Sequence, residues 1–375
     1  MFPKISQKKD LINFIKKKKL KKIFVISGKN SFYKSGAYKI INTKIANKKF
    51  QFYFKKSYLP VIWELKVIIK LLHRFKPDLI VAIGGGAVLD YAKIAHIANQ
   101  GRLGKLKSNI LKFRSIGRNK KYPLLAIPTT AGSGAEVTSG AVIYVNKKKY
   151  SVENNLLIPS SFLLIPDFVI KNPFKIKSSS AFDTISQAIE SMISLKSNKT
   201  SIYYAKKSLQ LSYKNYLSFL KIPTKKNCSN MLLASSFSGK AINISKTTAP
   251  HALSYPFSYY FNLSHGHAVS LTLEKFLEFN YINLKKSNDA SDIKKKYKII
   301  FRILRVRNIR ELKNKIIFIK KTMKLNSNLK SMGININKDL NKIMSGINFL
   351  RLKNNPVKVH KQDIKNILLD IKWIL

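Results

Sequence analysis

Short apolar runs alternate with stretches of helical periodicity over the first part of the chain. The runs have the length and composition of buried strands and cover residues 22–27, 51–54, 79–83, 124–127 and 141–145. Between the second and third runs, residues 61–75 carry apolar side chains at helical spacing, and another helix is expected directly after residue 86. Strands that alternate with helices in this way predict a parallel α/β sheet.

Helical periodicity dominates from about residue 173 onward. Helices are predicted over residues 181–195, 201–220, 231–244 and 271–284. The segment 171–180 contains Pro173 and a run of serines, which is typical of a junction between domains. A chain of 375 residues is also too long for one ordinary hydrophobic core. We therefore expect an α/β domain over residues 1–172 and an all-helical domain over residues 173–375.

A triple glycine directly follows the third apolar run. Residues 82–93 read AIGGGAVLDYAK, so that Gly84, Gly85 and Gly86 join a strand to a helix. The start of a helix presents unpaired N–H groups and a partial positive charge, and glycines let a phosphate approach the backbone closely. A tight turn without a ligand is the alternative, but the context of strand, turn and helix favours a nucleotide site.

A second loop of the same kind follows the fourth run. Residues 128–138 read PTTAGSGAEVT and contain four short hydroxyl side chains, Thr129, Thr130, Ser133 and Thr138. Loops at the carboxyl ends of neighbouring parallel strands line one crevice, so the two loops together predict one nucleotide site. A glycine- and serine-rich surface loop is the alternative, and the pairing with the triple glycine makes it less favoured.

Candidate metal ligands lie in the helical half. The stretch AFDTISQAIE places Asp183 and Gln187 four residues apart on one helical face. Three of the six histidines fall close together further along the chain, among them His251 and His265. One carboxylate and two imidazoles can hold a divalent metal and leave positions open for a substrate oxygen. A lone histidine is more often structural, so the prediction depends on the cluster.

The strongly positive charge adds little to this picture. The net charge of +54 comes from 71 lysine and arginine residues against 17 acidic ones, and most of the basic residues are lysine. Lysine is spread along the whole chain, whereas a nucleic-acid-binding surface clusters arginine and aromatic residues on one face. We therefore interpret the charge as a biased surface composition and expect no specific nucleic-acid partner. A basic nucleic-acid-binding protein on a decayed enzyme scaffold is the remote alternative.

Cysteine content and hydropathy bear on the compartment. The single cysteine, Cys228, excludes an intramolecular disulfide and a cysteine-built zinc site. No stretch approaches the ~18 apolar residues of a membrane span, and the apolar run at 23–26 is too short for the core of a signal peptide. We expect a soluble, cytoplasmic protein without a membrane partner, and a homodimer is left open.

Four ordered motifs carry a resemblance to a known family. The chain is similar to GGGSxxDxAK at 84–93, to PTTAGTGSE at 128–136, to DALSHAIE in the 181–190 stretch and to HxxxHP…HG at 251–266. With these motifs the whole chain resembles the iron-containing alcohol dehydrogenase family. The resemblance implies a parallel dinucleotide-binding sheet, an all-α C-terminal domain and a metal-holding cleft between them, which is the dehydroquinate synthase-like architecture. It also implies hydride transfer between NAD(P)H and a carbonyl that the metal polarises.

The family's site residues map onto this chain with departures. The resemblance implies that Asp183, His251 and His265 ligate a divalent metal, Fe²⁺ or Zn²⁺. The fourth ligand, usually histidine, falls on Gln187, whose amide oxygen is a weaker ligand than imidazole. Either three strong ligands and an amide hold the metal, or tight binding is lost; we favour a retained metal. A usual histidine of the proton relay is Tyr255 here, and we assign Tyr255 and His251 as catalytic residues.

The cofactor prediction is NADPH or NADH. The residues assigned to the cofactor are Gly28, Lys29, Gly84, Gly85, Gly86, Asp90, Thr129, Thr130, Ser133 and Thr138. Family members that prefer NAD often carry an aspartate after the first strand, where it bonds the ribose and repels a 2′-phosphate. Gly28 occupies that position here and Lys29 follows it, which favours NADPH or tolerance of both cofactors.

The predicted reaction is the reduction of a small aldehyde to an alcohol. The runs GKAINISKTTAPHALSYP and HGHAVSLTL, together with Gln187, resemble the phosphonoacetaldehyde reductase subgroup, which forms 2-hydroxyethylphosphonate. A cation and two hydroxyls, Lys246, Thr247 and Thr248, precede His251 and can hold a phosphonate dianion. Lys246 as one more surface lysine, in a general short-chain alcohol dehydrogenase, is the alternative.

Overall fold

The protein divides into two compact units. The computed structural model describes residues 2–17, 19–45, 48–98, 103–112, 114–347 and 349–370. Unit 1 contains the chain up to Pro173 together with Ile222–Gly239, and unit 2 contains Phe174–Lys221 and the chain from Lys240 onward. Residues 222–239, which the sequence predicts to be part of the helical domain, group with unit 1 by their contacts.

Unit 1 is an α/β sheet domain. Its strands are β1 (Lys22–Gly28), β2 (Lys49–Lys55), β3 (Leu79–Gly84), β4 (Leu124–Pro128), β5 (Gly140–Val145), β6 (Lys148–Glu153) and β7 (Ser161–Phe162). Its helices before the boundary are α1 (Lys8–Ile15), α2 (Lys29–Lys34), α3 (Ala37–Lys44), α4 (Ile62–Phe75), α5 (Gly86–Ala95), α6 (Leu103–Leu111) and α7 (Asp167–Ile170). Five strands form one parallel sheet in the order β2-β1-β3-β4-β7, as the alternating pattern predicted.

Both faces of this sheet are buried, which explains why its central strands are continuously apolar. Successive side chains of a strand point to opposite faces. Phe24 and Ile26 accordingly pack with α4 and α5 on one face, whereas Ile23 and Val25 pack with α1 and α3 on the other. A strand buried on both sides cannot alternate between apolar and polar residues, so the sequence shows unbroken apolar runs.

The order of the strands predicts a ligand-binding site at the carboxyl ends of β1 and β3. The chain leaves β1 for β2 on one side and then enters β3 on the other side of β1. Ligands of open parallel sheets bind outside the carboxyl ends of the strands at such a point of reversal. The two strands that flank it end at Gly28 and Gly84, which are both residues of the predicted cofactor set.

One predicted strand has a different partner from the one expected. Residues 141–145 do form a strand, but β5 pairs with β6 in a separate antiparallel hairpin. Expecting it in the parallel sheet was wrong, because Asn146 and Lys147 form a tight turn that returns the chain directly. Both turn residues have positive φ, which is the backbone conformation of favoured two-residue hairpin turns.

Unit 2 is helical, and the residues described for it contain no strand. Its helices are α8 (Phe174–Ile193), α9 (Lys199–Lys221), α11 (Ala249–Tyr260), α12 (His265–Ser270), α13 (Leu273–Ile282), α14 (Ala290–Leu304), α15 (Ile309–Thr322), α16 (Ile336–Ser345), α17 (Phe349–Leu352) and α18 (Lys361–Leu368). Helix α10 (Lys225–Ser245) is divided between the two units. The serines of the predicted junction lie inside α8, which begins one residue after Pro173. Within the described ranges, no helix is long and apolar enough to span a bilayer.

Helix α10 approaches a loop of unit 1 closely at its unit 1 end. A β-carbon on Gly134 would lie 2.5 Å from the carbonyl oxygen of Ser235, and one on Gly239 would lie 2.5 Å from that of Gly134. Gly134 also has a φ of 58°, a conformation that favours glycine. The backbone contact explains why the first part of α10 belongs to unit 1.

Candidate functional site

The glycine turn forms the start of α5, as predicted. Gly84 ends β3, Gly85 is the residue before the helix, and Gly86 is its first residue. A β-carbon on Gly84 would lie 2.6 Å from the Val88 side chain, so the turn has no room for a larger residue there. The first N–H groups of a helix lack intrahelical partners and attract an anionic group.

The second predicted loop, residues 128–138 with their four hydroxyl side chains (the hydroxyl loop), lies directly against the glycine turn. The Thr129 N–H donates to the Gly84 carbonyl over 3.0 Å. A β-carbon on Gly85 would lie 3.5 Å from the Thr130 hydroxyl, and one on Gly86 would lie 3.2 Å from the Ser133 hydroxyl. The first N–H groups of α5, the glycine backbone and the hydroxyls of Thr130 and Ser133 therefore lie close together. This arrangement fits the diphosphate of a dinucleotide.

Asp90 and Thr138 of the predicted cofactor set have partners within the protein. The Thr138 hydroxyl accepts a hydrogen bond from the Lys93 ammonium over 2.7 Å. The Asp90 carboxylate accepts one from the Val142 N–H, and burial raises its pKa to about 6. Thr138 thus connects the end of the hydroxyl loop to α5, and Asp90 connects α5 to β5; direct contact of either with the cofactor stays a prediction.

Two lysines lie near Gly28 at the end of β1, the position at which the sequence has no aspartate for the cofactor ribose. Gly28 pairs in register with Lys55 at the end of β2, and the Lys55 side chain lies 3.9 Å from the position of a β-carbon on Gly28. Lys29 is exposed at the start of α2. The Lys55 ammonium donates to the Ser57 carbonyl over 2.8 Å, and burial lowers its pKa. This edge of the sheet is positively charged.

Three predicted metal ligands come together in unit 2. The ligand atoms of Asp183, His251 and His265 all lie within 4.8 Å of one another. Asp183 Oδ1 lies 3.2 Å from His251 Nε2 and 3.9 Å from His265 Nε2. Asp183 and His251 are buried, whereas His265 is partly exposed. The Ser254 hydroxyl lies 3.4 Å from His265 Nδ1 and helps to orient the ring.

A buried carboxylate that the sequence analysis missed fixes the ring of His251. Glu190 is fully buried on α8, and its Oε1 lies 2.5 Å from His251 Nδ1. Its Oε2 accepts from the Thr248 N–H over 2.7 Å and from the Thr248 hydroxyl over 2.9 Å. Because Glu190 holds a proton on Nδ1, Nε2, which faces Asp183, is the ring atom of His251 that can ligate a metal, and histidine ligands are usually oriented in this way.

The charges in this cluster are coupled. Burial alone would raise the pKa of Asp183, but nearby His265 and hydrogen bonds from His251 and Gln187 lower it below its usual value. Burial likewise acts to lower the pKa of His251, but the Glu190 charge and the hydrogen bonds to both carboxylates outweigh it and raise that pKa. The metal-free cluster therefore favours an ionised Asp183 facing a protonated His251, and a bound cation would take the place of the proton on His251 Nε2.

Gln187 contacts the cluster through Asp183. It is buried on α8 one turn after Asp183 and donates a hydrogen bond to that carboxylate. An amide that donates through its nitrogen can still present its oxygen, so ligation by Gln187 stays a prediction. One carboxylate and two imidazoles are by themselves a sufficient set for iron or zinc with open positions.

The other predicted residues of this half are Tyr255 and the substrate set Lys246, Thr247 and Thr248. The Tyr255 ring stacks 6.3 Å from the His265 ring, centroid to centroid, and is buried. The Thr247 carbonyl accepts from the Asn354 amide, and the Thr248 hydroxyl is engaged by Glu190. Lys246 is half-buried with a φ of 61° just after α10 ends. Of this substrate set, Lys246 is the residue that supplies a positive charge.

His267, the third of the closely spaced histidines, has a partner outside the group of Asp183, His251 and His265. Its Nε2 lies 2.7 Å from the Asn326 carbonyl, and burial with nearby lysines lowers its pKa. Glu190 and Lys93 were the residues that sequence reasoning did not single out. The spacing of both residues could have indicated them. Glu190 lies seven positions after Asp183 on the same helical face, and Lys93 lies three positions after Asp90 on the next helix turn.

Comparison with known proteins agrees with this geometry. The profile described as iron-containing alcohol dehydrogenase matches residues 5–166, and the one described as Fe-containing alcohol dehydrogenase family, C-terminal, matches residues 177–371. The chain therefore belongs to the iron-containing alcohol dehydrogenase family. The family uses NAD(P)H and a divalent metal, and the donor set Asp183, His251 and His265 fits such an ion.

Individual relatives are distant. The chain is 26% identical to aldehyde-alcohol dehydrogenase 2 of Entamoeba histolytica over 70% of this chain and 32% of that protein. It is 28% identical to phosphonoacetaldehyde reductase of Streptomyces viridochromogenes over 56% of this chain and 55% of that protein. It therefore spans about a third and about half of their lengths. The solved structure of an archaeal Red Sea brine pool alcohol dehydrogenase has the same fold, with a TM-score of 0.84, 20% identity and coverage of 99% and 98% of the two chains.

We expect the change Glu190→Gln to weaken metal binding by about 10- to 100-fold, the usual effect of losing a carboxylate behind a histidine ligand. Glutamine keeps the size of the side chain, but its NH₂ group must face either the His251 or the Thr248 donors. The measurement is competition with a chelator for Zn²⁺, together with the absorption spectrum of the Co²⁺-loaded protein.

The control is Glu278→Gln, which removes a half-exposed carboxylate paired with Lys313 in the same unit. It should leave metal affinity unchanged. Equal affinities of the wild type and a folded Glu190→Gln protein would contradict the role of Glu190.

Proposed function

We propose that this protein catalyses the NAD(P)H-dependent, metal-assisted reduction of a small aldehyde to an alcohol. The observation that carries the proposal is the convergence of Asp183, His251 and His265, with Glu190 holding His251, in a chain of this family. The closeness of Thr130 and Ser133 to the turn at Gly84–Gly86 is the support for binding of a nucleotide cofactor. When bound, the metal polarises the carbonyl as a Lewis acid and the reduced nicotinamide supplies the hydride.

The protein's own residues bind, orient and supply a proton. Glu190 fixes the tautomer of His251, and Ser254 orients His265, so that both Nε2 atoms face Asp183. Reduction leaves a negative charge on the former carbonyl oxygen, which must gain a proton. Tyr255, whose ring stacks beside His265, is the proposed donor, directly or through an ordered water.

For the substrate we propose an aldehyde that carries an anionic group, with phosphonoacetaldehyde as the specific candidate. Support comes from the similarity to a phosphonoacetaldehyde reductase and from Lys246, which lies two residues before the Glu190 partner Thr248. An ammonium group binds a phosphonate dianion through charge-assisted hydrogen bonds. A general short-chain alcohol dehydrogenase would show no such preference.

For the cofactor we propose a preference for NADPH. Gly28 offers no carboxylate at the end of β1, where one would bond the 2′-hydroxyl and repel a 2′-phosphate. Lys29 and Lys55 flank the same position and favour an additional negative charge.

The activity is tested by metal analysis together with NADPH oxidation in the presence of phosphonoacetaldehyde, acetaldehyde and butanal. We expect bound iron or zinc, loss of turnover after chelation with recovery on adding metal, and highest kcat/KM for phosphonoacetaldehyde. Lys246→Met should raise KM for that substrate by about tenfold and leave acetaldehyde unaffected, because a charge-assisted hydrogen bond is lost.

The matched control is Lys206→Met on an exposed part of α9, which removes the same charge elsewhere in unit 2. Absence of both metal and turnover would reject the proposed function. Equal kcat/KM for all three aldehydes would reject only the anionic substrate and support the general alcohol dehydrogenase.

The change Gly28→Asp should shift the cofactor preference toward NADH by about tenfold or more, equivalent to ~1.4 kcal/mol. The new carboxylate would repel the 2′-phosphate, and only the Ser31 hydroxyl, 3.0 Å from the new β-carbon, must give way. Fluorescence titration with NADPH and NADH measures the ratio. Asn30→Asp, which adds the same charge at an exposed position two residues later, is the control. An unchanged ratio in Gly28→Asp would contradict the assignment.

The change Tyr255→Phe should lower kcat by about 100-fold, the usual contribution of a positioned proton donor. KM for the cofactor should stay the same because the substitution removes only a hydroxyl. Tyr260→Phe on the same helix is the control, and kcat is measured across pH for all three proteins. Turnover that Tyr255→Phe leaves unchanged at every pH would assign the proton to water.

A further inference from the structure

Lys93 is a fully buried lysine beneath the glycine turn. Its ammonium group donates hydrogen bonds to the Ala135 carbonyl over 2.9 Å, to the Thr138 hydroxyl over 2.7 Å and to the Gly140 carbonyl over 2.5 Å. These three acceptors use all three of its N–H groups. All of them belong to residues 135–140, which include the end of the hydroxyl loop and the first residue of β5.

The charge of Lys93 is compensated by two acidic residues near it. Burial lowers the pKa of Lys93 to about 8, while the charges of Asp90 and Glu136 act to raise it. Asp90 stands one turn earlier on α5 and accepts from the Val142 N–H. Glu136 is buried in the same segment, and its own pKa is raised by burial. Two side chains of one helix thus hold backbone groups on both sides of Gly140.

Such a contact is costly unless every partner is in place. Removing an ammonium group from water carries a desolvation penalty, and apolar residues of similar size often stabilise a fold better. A hydrogen-bonded buried charge instead fixes a specific arrangement of the groups around it. The arrangement here is that of the hydroxyl loop relative to the glycine turn, whose closest contacts pair Thr130 with Gly85 and Ser133 with Gly86.

We propose that Lys93 is a positioning residue for the dinucleotide: it anchors residues 135–140 to α5 and so keeps Thr130 and Ser133 beside the glycine turn. Lys93 does not touch the cofactor, and it acts through the loop. This inference rests on the proposed function, because it assigns a role within the nucleotide site of that function.

The test is cofactor affinity of the variant Lys93→Met, which keeps the length of the side chain and removes its three donors. The dissociation constant for NADPH should rise about 10- to 100-fold, as expected for losing hydrogen bonds to a charged group. At saturating NADPH, kcat should recover to near the wild-type value. A general loss of folding would lower kcat as well, so this split separates positioning from mere stability.

A second variant keeps the inference testable if Lys93→Met does not fold. Thr138→Val retains the shape of Thr138 and removes one acceptor of Lys93, and it should weaken NADPH binding in the same direction by a smaller factor. Combined with Lys93→Met, its effect should be less than additive, because both changes break one contact. Lys70→Met on an exposed face of α4 is the matched control.

The pH dependence of NADPH binding provides a further readout. A lysine whose pKa is lowered to about 8 loses its proton, and one of its donors, as the pH rises through that value. Wild-type affinity should therefore weaken above pH ~8, and Lys93→Met should lack that step. The other titratable groups near Lys93 are Asp90, whose pKa is raised to about 6, His96, whose pKa burial lowers to about 4, and Glu136, whose pKa burial raises. Comparison with Lys93→Met separates the step of Lys93 from theirs.

The outcomes are distinguishable. A wild-type protein that binds NADPH and a folded Lys93→Met protein that binds it equally well would overturn the positioning role alone. A fall in kcat at saturating NADPH with an unchanged dissociation constant would overturn it too. A wild-type protein that binds neither NADPH nor NADH would overturn the proposed function and this inference together.

Discussion

The arrangement of the predicted metal ligands Asp183, His251 and His265 depends on the buried carboxylate of Glu190. A charge without water must receive hydrogen bonds, and Glu190 receives them from His251 and Thr248 at the start of α11. That requirement fixes α11 against α8, which also carries Asp183. The separation of a histidine and an aspartate, 68 residues apart in sequence, is thereby set by a third residue.

In the predicted nucleotide site, a buried charged side chain plays the corresponding part, but it is a lysine and not a carboxylate. Lys93 is buried below the glycine turn and binds carbonyl and hydroxyl groups of the neighbouring loop. In both halves, the residues predicted to face a ligand are short or rigid, and a buried charged side chain forms hydrogen bonds that hold the neighbouring groups in place. Precise sites need such support, because small displacements of ligating or catalytic atoms weaken binding and rate strongly.

Much of this architecture could be predicted from the sequence, since apolar runs and glycine turns are local signals. Strands β1 to β4, helix α5 and the ligands on α8, α11 and α12 lie where the patterns placed them. The strand that pairs with β5 could not be predicted from the apolar runs, because the pairing depends on the turn at residues 146–147. Glu190 and Lys93 were missed because their roles depend on partners 42 to 61 residues away in the chain. The hydrogen bond between Lys93 and Thr138, which are 45 residues apart, was missed for the same reason.

The contact between Gly134 and Gly239 has a consequence for engineering. Replacing glycine by alanine commonly stabilises a protein by about 0.4–1 kcal/mol, because the unfolded chain becomes stiffer. Here a methyl group on either residue would meet a backbone carbonyl oxygen at 2.5 Å and would push the loop and helix apart. A thermostabilisation campaign should therefore leave this pair unchanged and seek its rigidifying substitutions at Gly104, around which a β-carbon would find open space.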